Sequence, residues 1–580
     1  MRFLRMLTNS ALAGALGAAY LTVLVLQLNP HIPLFSVSTW RWFGTLALFY
    51  GVHLAVIFYV AMVAREFFSL HVLSPGWASV RVLAWLGAAA AAVAATLMWL
   101  NLQGLAATLD AATTRRMTSG AIATTTAAVA LLGIAVAHYS FGRRGSRVGA
   151  ALFVIAVIGS LALPLAARGP GVLSVPQAPP ANTAWRPPQP GTRVVALLLD
   201  GASLEYILPR AAEGRLPNFS RVLDRAGWLP LATIRPTQPD PVWAAVATGM
   251  YPSKNGVRSA ASYYPWSDTR AADLLPDHCF SHALVHLGFV RSVANSSGVW
   301  RARPLWNILS DAGIPVGVVR WPLTYPAHPL QGFLVSDRFH ELPGSMFELD
   351  DRVAFPPSII PAVRDAFNDA SHASVEPAAR DMAPQLLASE SPAAQRDRFY
   401  SAALRMLRTQ FATRFTAVRY EGLDAVGHLY LRYTQPRSYG DVPEEERRRY
   451  TQIVDRSYAY IDAEVGSIVD SLASGDLLLI VSGFGMERLN LVKQTLGRLL
   501  GDPEVTGTHD RAPDGFLLAY GTAAQRGRHR RGSIVDIAPT ILYFLGLPVG
   551  RDMDGFARSD IFTAEFTAQR PIAFIPSYNR

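Results

Sequence analysis

Asp424 and His428 stand four residues apart in RYEGLDAVGHLY, and His509 lies far downstream in the polar loop GTHDRAPDG. On a helical turn that spacing puts the carboxylate and the imidazole on one face. Two imidazoles and a carboxylate suit zinc with a fourth position left open, which is the catalytic rather than the structural arrangement. An ion so held polarises water or a phosphoryl oxygen. Asp200 directly follows the run VVALLL. A carboxylate there either points into a strand-end crevice, where it can bind metal, or caps the next helix. His278, His282 and His286 recur every four residues in PDHCFSHALVHLG. They read either as a second metal site or as a stripe on the surface of an insertion. Cys279 is the only cysteine, which excludes an intrachain disulfide framework and any multi-cysteine zinc site.

These residues need a scaffold. Short apolar runs (194–199, 316–319, 416–420, 477–481 and 516–520) alternate with amphipathic segments. Continuous apolar strands separated by helices predict a mostly parallel sheet buried on both faces, with ligands beyond the strands' C-terminal ends. The α/β part, residues 192–580, is long for one core, so insertions are expected near 268–303 and 340–398. Ahead of it, residues 169–191 are dense in proline and predict an extended linker.

Half the chain is hydrophobic, and its mean hydropathy is +0.20. That excess is concentrated in residues 1–168, where five apolar stretches reach the roughly 20 residues needed to cross a bilayer. They run near 10–28, 43–64, 80–100, 121–139 and 148–167. Arg2, Arg5, Arg65, Arg81, Arg143, Arg144 and Arg147 fall on one side of these spans, against Arg41, Arg115 and Arg116 on the other. The positive-inside tendency then predicts a cytoplasmic N-terminus, and five spans place the α/β domain outside the cytoplasm, periplasmic or extracellular. The net charge of +10 is almost all arginine, since Lys254 and Lys493 are the only lysines. No recognition helix or aromatic–basic platform predicts nucleic-acid reading.

The succession VVALLLDG, RPTQPDPVWAAVATGMYPSKNGV, WNILSDAGIPVGVVRWPLTYP, EGLDAVGHLY, VSGFGM, GTHDRAPDG and IVDIAPTILYFLGLPVGRDMDG resembles the type I phosphodiesterase/nucleotide pyrophosphatase branch of the alkaline phosphatase superfamily. The resemblance implies an alkaline-phosphatase-like α/β/α sandwich, preceded here by an all-α bundle of about five transmembrane helices. It also implies two divalent metals, usually zinc, flanking a threonine or serine nucleophile. One metal would take Asp424, His428 and His509; the other would take Asp200 and an Asp-His pair. In this sequence that pair is Gly483 and Phe484, and Pro239 stands where the nucleophile belongs, with Thr237 and Asp240 as nearby candidates. The expectation is a membrane-anchored phosphodiester hydrolase or phosphotransferase holding one zinc, manganese or other divalent ion. It would act on a phosphoester, or on an envelope lipid or glycan. The contrary expectation is an inactive relative serving as a binding or scaffold module.

Overall fold

The computed structural model describes residues 1–68, 75–141, 147–169, 191–266, 268–276, 280–341, 350–372, 384–435, 439–440, 442–490, 493–495, 499 and 505–579. Most of the proline-rich linker, His278 and Cys279 lie outside them. The chain forms two compact units, Met1–Pro176 with Ala261–Ala294, and Gln177–Ala260 with Asn295–Arg580.

The first unit contains five helices long and apolar enough to cross a membrane: α1 (Arg2–Leu28), α2 (Val37–Phe68), α3 (Val80–Gly104), α4 (Ala111–Phe141) and α5 (Arg147–Arg168). A helix bonds its own backbone, which is what an apolar solvent requires. Polar caps set the starts. Ser36 accepts from the Thr39 N–H at the head of α2, and Asp110 accepts from Ala112 and Thr113 at the head of α4. A π-helical turn, Ala47–Gly51, interrupts α2.

The excursion Ala261–Ala294, which overlaps the insertion expected near 268–303, belongs to this helical unit. It is an antiparallel hairpin, Ala261–Pro265 against Val290–Ala294, carrying the short helix Phe280–His286. Asn29, just past α1, receives the Asp273 and Leu274 N–H groups on Oδ1 and donates to the Leu274 carbonyl. Arg168, at the end of α5, donates to the carbonyls of Leu26, Asn29, Pro30 and Ile32. The end of α5 and the hairpin are therefore fastened to the same end of α1. His282 and His286 are exposed, with ring centroids 5.9 Å apart.

The second unit is built on a ten-stranded sheet among the described residues. Its strands are β1 (Val194–Leu199), β2 (Gly227–Ala232), β3 (Val316–Val319), β4 (Gly332–Val335), β5 (Ala354–Phe355), β6 (Phe415–Tyr420), β7 (Leu477–Phe484), β8 (Asp514–Tyr520), β9 (Gly527–Arg528) and β10 (Gly532–Ser533). The spatial order is β9-β2-β8-β7-β1-β6-β3-β4-β5, with β10 also paired to β2. The central strands β7, β1, β6, β3 and β4 run parallel. Every residue of β1, β6 and β7 is buried, as a sheet covered on both faces requires.

Helices α6 (Pro239–Thr248), α7 (Pro384–Gln410), α8 (Gly422–Thr434) and α9 (Glu444–Asp470) follow in chain order. Pro239 opens α6, and Gly249 closes it at φ 67°, a conformation that favours glycine. The later part of the stretch read as an insertion near 340–398 runs into α7, whose Phe399, Tyr400, Ala403, Leu404 and Leu407 join the main core.

Two strands run against the others of this mostly parallel sheet: β5, antiparallel to β4, and β8. β8 runs antiparallel to β7, pairing Asp514 with Phe484. The reversal has a consequence for the site, because it lays the beginning of β8 beside the end of β7.

Candidate metal centre

β6 leads directly into α8, so Asp424 falls in the first helical turn and His428 one turn on. Gly201, after β1, sits at φ 68°; a Cβ there would come within 2.9 Å of the Asp424 Cα, so glycine lets α8 begin this close to β1. The reversed β8 brings the loop before it, with His509, to the same strand ends. Ligand atoms of Asp424, His428 and His509 lie within 4.8 Å of one another, and this is the metal-type group found among the described residues. His428 Nε2 is 3.4 Å from Asp424 Oδ2, and His509 Nε2 is 3.9 Å from Asp424 Oδ1.

Backbone carbonyls fix both imidazoles. His428 Nδ1 bonds the Gly507 carbonyl and His509 Nδ1 the Thr237 carbonyl, each at 2.9 Å. A proton on each Nδ1 leaves Nε2 with its lone pair directed toward the carboxylate, as metal-ligating histidines are held. Asp424 Oδ1 is buried and has no hydrogen-bond partner among the described residues. A buried carboxylate oxygen without a donor is costly, and a divalent ion shared with the two imidazoles would remove that cost. The three residues therefore fit a metal. Burial opposes protonation of His428, but the adjoining Asp424 outweighs it and raises the pKa.

The second position expected from the sequence is built differently. Asp200 is buried and stands outside the metal-type group. Its Oδ1 accepts from Trp243 Nε1 at 2.6 Å, and Arg419 grips both oxygens, with Nε to Oδ1 at 3.2 Å and to Oδ2 at 3.0 Å, and Nη2 to Oδ2 at 2.5 Å. Expected as a metal ligand, Asp200 is instead ion-paired to a guanidinium. Arg419 also pairs with Glu421 at 2.7 Å, Glu421 pairs with Arg320 at 2.6 Å, and Arg320 pairs with Asp397. Alternating charges thus run in an unbroken chain through a buried region, each compensated by its neighbours. Burial pushes Asp200 up to about 6 despite Arg419, while Arg320 and Arg419 overcome burial to hold Glu421 at about 2.

Gly483 and Phe484 close the rest of that position. A Cβ on Gly483 would meet Val242 Cγ1 at 2.5 Å, so the space an aspartate would need is occupied by α6. Phe484 packs its ring on His509, centroids 5.0 Å apart. It supports the remaining centre by contact where the family's histidine would ligate.

The nucleophile candidates separate. Pro239 begins α6 and has no nucleophilic group. Thr237 is fully buried, with its hydroxyl donating to the Ile234 carbonyl at 2.8 Å and its own carbonyl holding His509. It positions an imidazole, and its hydroxyl is engaged elsewhere. Asp240 sits in the first turn of α6. Burial raises it to about 7; Arg419 works the other way, while Asp337, Glu421 and Asp200 reinforce the rise. Sequence reading missed Arg419 and Arg320. The available signal was an arginine inside the otherwise apolar buried strand FTAVRY, since a charge in such a place needs a partner.

A family model for type I phosphodiesterase/nucleotide pyrophosphatase matches residues 194–528. Among solved structures, human ectonucleotide pyrophosphatase/phosphodiesterase 5 is similar at 13% identity and a TM-score of 0.38, over 64% of this chain and 100% of that one. The murine protein of the same name, alone and as an inactive variant in complex with AMP, is similar at 12% identity, the same coverage and the same TM-score. No curated protein matches. The family model spans more than half of the chain, and this protein belongs to the type I phosphodiesterase/nucleotide pyrophosphatase family.

Proposed function

We propose that this chain is a membrane-anchored phosphodiester hydrolase that works with one divalent ion, zinc by the chemistry of its donors, on the non-cytoplasmic side. The observation that carries the reading is the pair of imidazoles tied through Nδ1 to carbonyls around the unpartnered Asp424 Oδ1. Asp424, His428 and His509 would hold the ion, and it would supply Lewis-acid polarisation of a phosphoryl oxygen. The remaining roles belong to the chain's own groups. Arg419, held between Asp200 and Glu421, fills the second position with a compensated ion pair where the other metal would have sat. Asp240, with a pKa near neutrality, is suited to exchange a proton with the attacking or leaving oxygen.

The test is metal content and turnover on the purified full chain. About one zinc per chain, with hydrolysis of bis(p-nitrophenyl) phosphate falling at least roughly a hundredfold in His509→Ala, is the expected result. Turnover unchanged by that substitution overturns it. A second reading is favoured by the engaged Thr237 hydroxyl and by Pro239 at the nucleophile position: a phosphoester-binding module without turnover. One bound zinc, binding of a phosphodiester and no hydrolysis would select it.

A further inference from the structure

We propose that the helical unit carries a binding site for a glycerophospholipid with a primary ammonium headgroup, formed between α2 and the hairpin 261–294. A groove of about 650 Å³ lies there, lined by Leu48 of α2 and by Tyr264, Trp266, Asp268, Leu287, Phe289 and Arg291 of the hairpin. That is large enough for a headgroup and the start of an acyl chain.

Asp268 supplies the sharpest observation. It is 5% exposed, and every donor it has converges on one oxygen. Oδ1 accepts from the Thr269 and Arg270 N–H groups at 2.7 and 3.2 Å, from the Ser38 hydroxyl at 3.2 Å and from Arg41 at 3.4 Å. Oδ2 is buried without a hydrogen-bond partner among the described residues. Asp268 lines the groove, and its carboxylate, with one oxygen left unpartnered, favours an N–H or O–H donor, a cationic one best. Arg291 is exposed on the same groove with its guanidinium 5.2 Å from the centre of the Tyr264 ring. It is a donor for a phosphate, so ammonium and phosphate each meet the complementary charge.

The groove is also graded along α2. Its polar end is level with Ser38 and Arg41, which bond Asp268, and Leu48 lies seven residues further along the helix. At the helical rise that is about 10 Å. Leu48 belongs to the π-helical turn and is half exposed, and Trp266 and Leu287 are 68% and 52% exposed. Apolar side chains left uncovered on a helix apolar enough to cross a membrane face acyl chains. Aromatic residues with an arginine at the polar end are what the membrane–water boundary selects. A lipid lying head toward Asp268 and tail toward Leu48 satisfies the orphan oxygen, the arginine and the apolar wall together.

The test uses the full chain in detergent, with lipid retention read by native mass spectrometry. The probes are phosphatidylethanolamine, phosphatidylcholine and phosphatidylglycerol of identical acyl composition. Phosphatidylethanolamine should be retained about tenfold better than phosphatidylcholine, whose methylated nitrogen has no N–H for Asp268. Arg291→Ala and Trp266→Ala alter exposed side chains and should each weaken retention by about tenfold with the thermal midpoint unchanged. Equal retention of the three headgroups, or retention undiminished in both variants, overturns the proposal. Should either variant misfold, the headgroup comparison on the unaltered chain decides alone. His509→Ala should retain the lipid fully, so a failure of the hydrolase reading leaves this site standing.

Discussion

Asp240 shows how the site sets proton chemistry with few groups. Its carboxyl is half-buried at the start of α6 near Asp337, Glu421 and Asp200; desolvation and these acids raise it and Arg419 only partly offsets them, so its pKa rises to about 7. An unfolded aspartate releases its proton near 3.9. Between those two values the folded state binds the extra proton, so stability is greatest below about 4 and is lost as pH rises through 7. Asp240→Asn removes the ionisation. It should stabilise the chain at pH 8 by about 2 kcal/mol, less than an isolated carboxyl would give because the neighbouring acids titrate with it. The gain should shrink toward pH 4.5. Thermal midpoints of the two chains at both pH values measure this; an offset independent of pH would sever Asp240 from the linkage. If Asp240 transfers the proton, the same variant should also lose the near-neutral limb of the turnover profile. Stability gained and activity lost in one substitution is the pattern of a functional group held against its own preference.

At the scale of elements, the sequence carried the metal centre further than the scaffold around it. Asp424 and His428 were legible because helical spacing alone puts them on one face, and the loss of Gly483 and Phe484 as ligands was legible because neither side chain has a donor atom. The filling of the vacated position was not, because it depends on Val242 and Arg419 arriving from other elements. The direction of β8 was equally hidden: FLLAY is apolar in either orientation, and only pairing with β7 reverses it. The hairpin's allegiance to the helical unit was hidden too, since it rests on contacts between distant positions. Asn29, some 245 positions from Leu274, and His31 bond its backbone. Ser38 and Arg41 meet Asp268, and Leu275, Leu284 and Val290 pack with residues of α1 and α2. That attachment can be tested directly. Asn29→Ala removes four side-chain hydrogen bonds, one to the Val25 carbonyl and three to the hairpin, where the Asp273 and Leu274 N–H groups and the Leu274 carbonyl lose this partner. The hairpin's local stability should fall by about 2 kcal/mol, which is roughly thirtyfold more frequent opening. Trypsin cleavage after Arg270 or Arg291 in the full detergent-solubilised chain reports it. A cleavage rate equal to that of the unaltered chain would mean that Asn29 does not hold the hairpin.

For the whole molecule, the decisive quantity is which side of a bilayer the phosphodiesterase unit occupies. The arginine distribution argues for a cytoplasmic N-terminus, and the fold adds an independent constraint. The end of α5 is clasped by Arg168 to the carbonyls after α1, and the hairpin is bound by Asn29 at that same end. The chain leaves the last apolar helix for the α/β unit, and returns from that unit to form the hairpin, at one common end of the helices. A bilayer around the five helices would thus have the α1–α2 connection and the hairpin on one face, and Arg2, Arg5, Arg65 and Arg81 on the other, so the chain would enter the α/β unit from the first face. With Cys279→Ser as background, a single Arg526→Cys substitution on the exposed surface of the α/β unit should react with a membrane-impermeant maleimide in intact cells. A single Ala78→Cys substitution, in the connection between α2 and α3, should react only after the membrane is opened. The reverse pattern would place the metal centre in the cytoplasm and exclude envelope phosphoesters as its substrates. Labelling of both positions in intact cells would mean that the five apolar helices do not all cross.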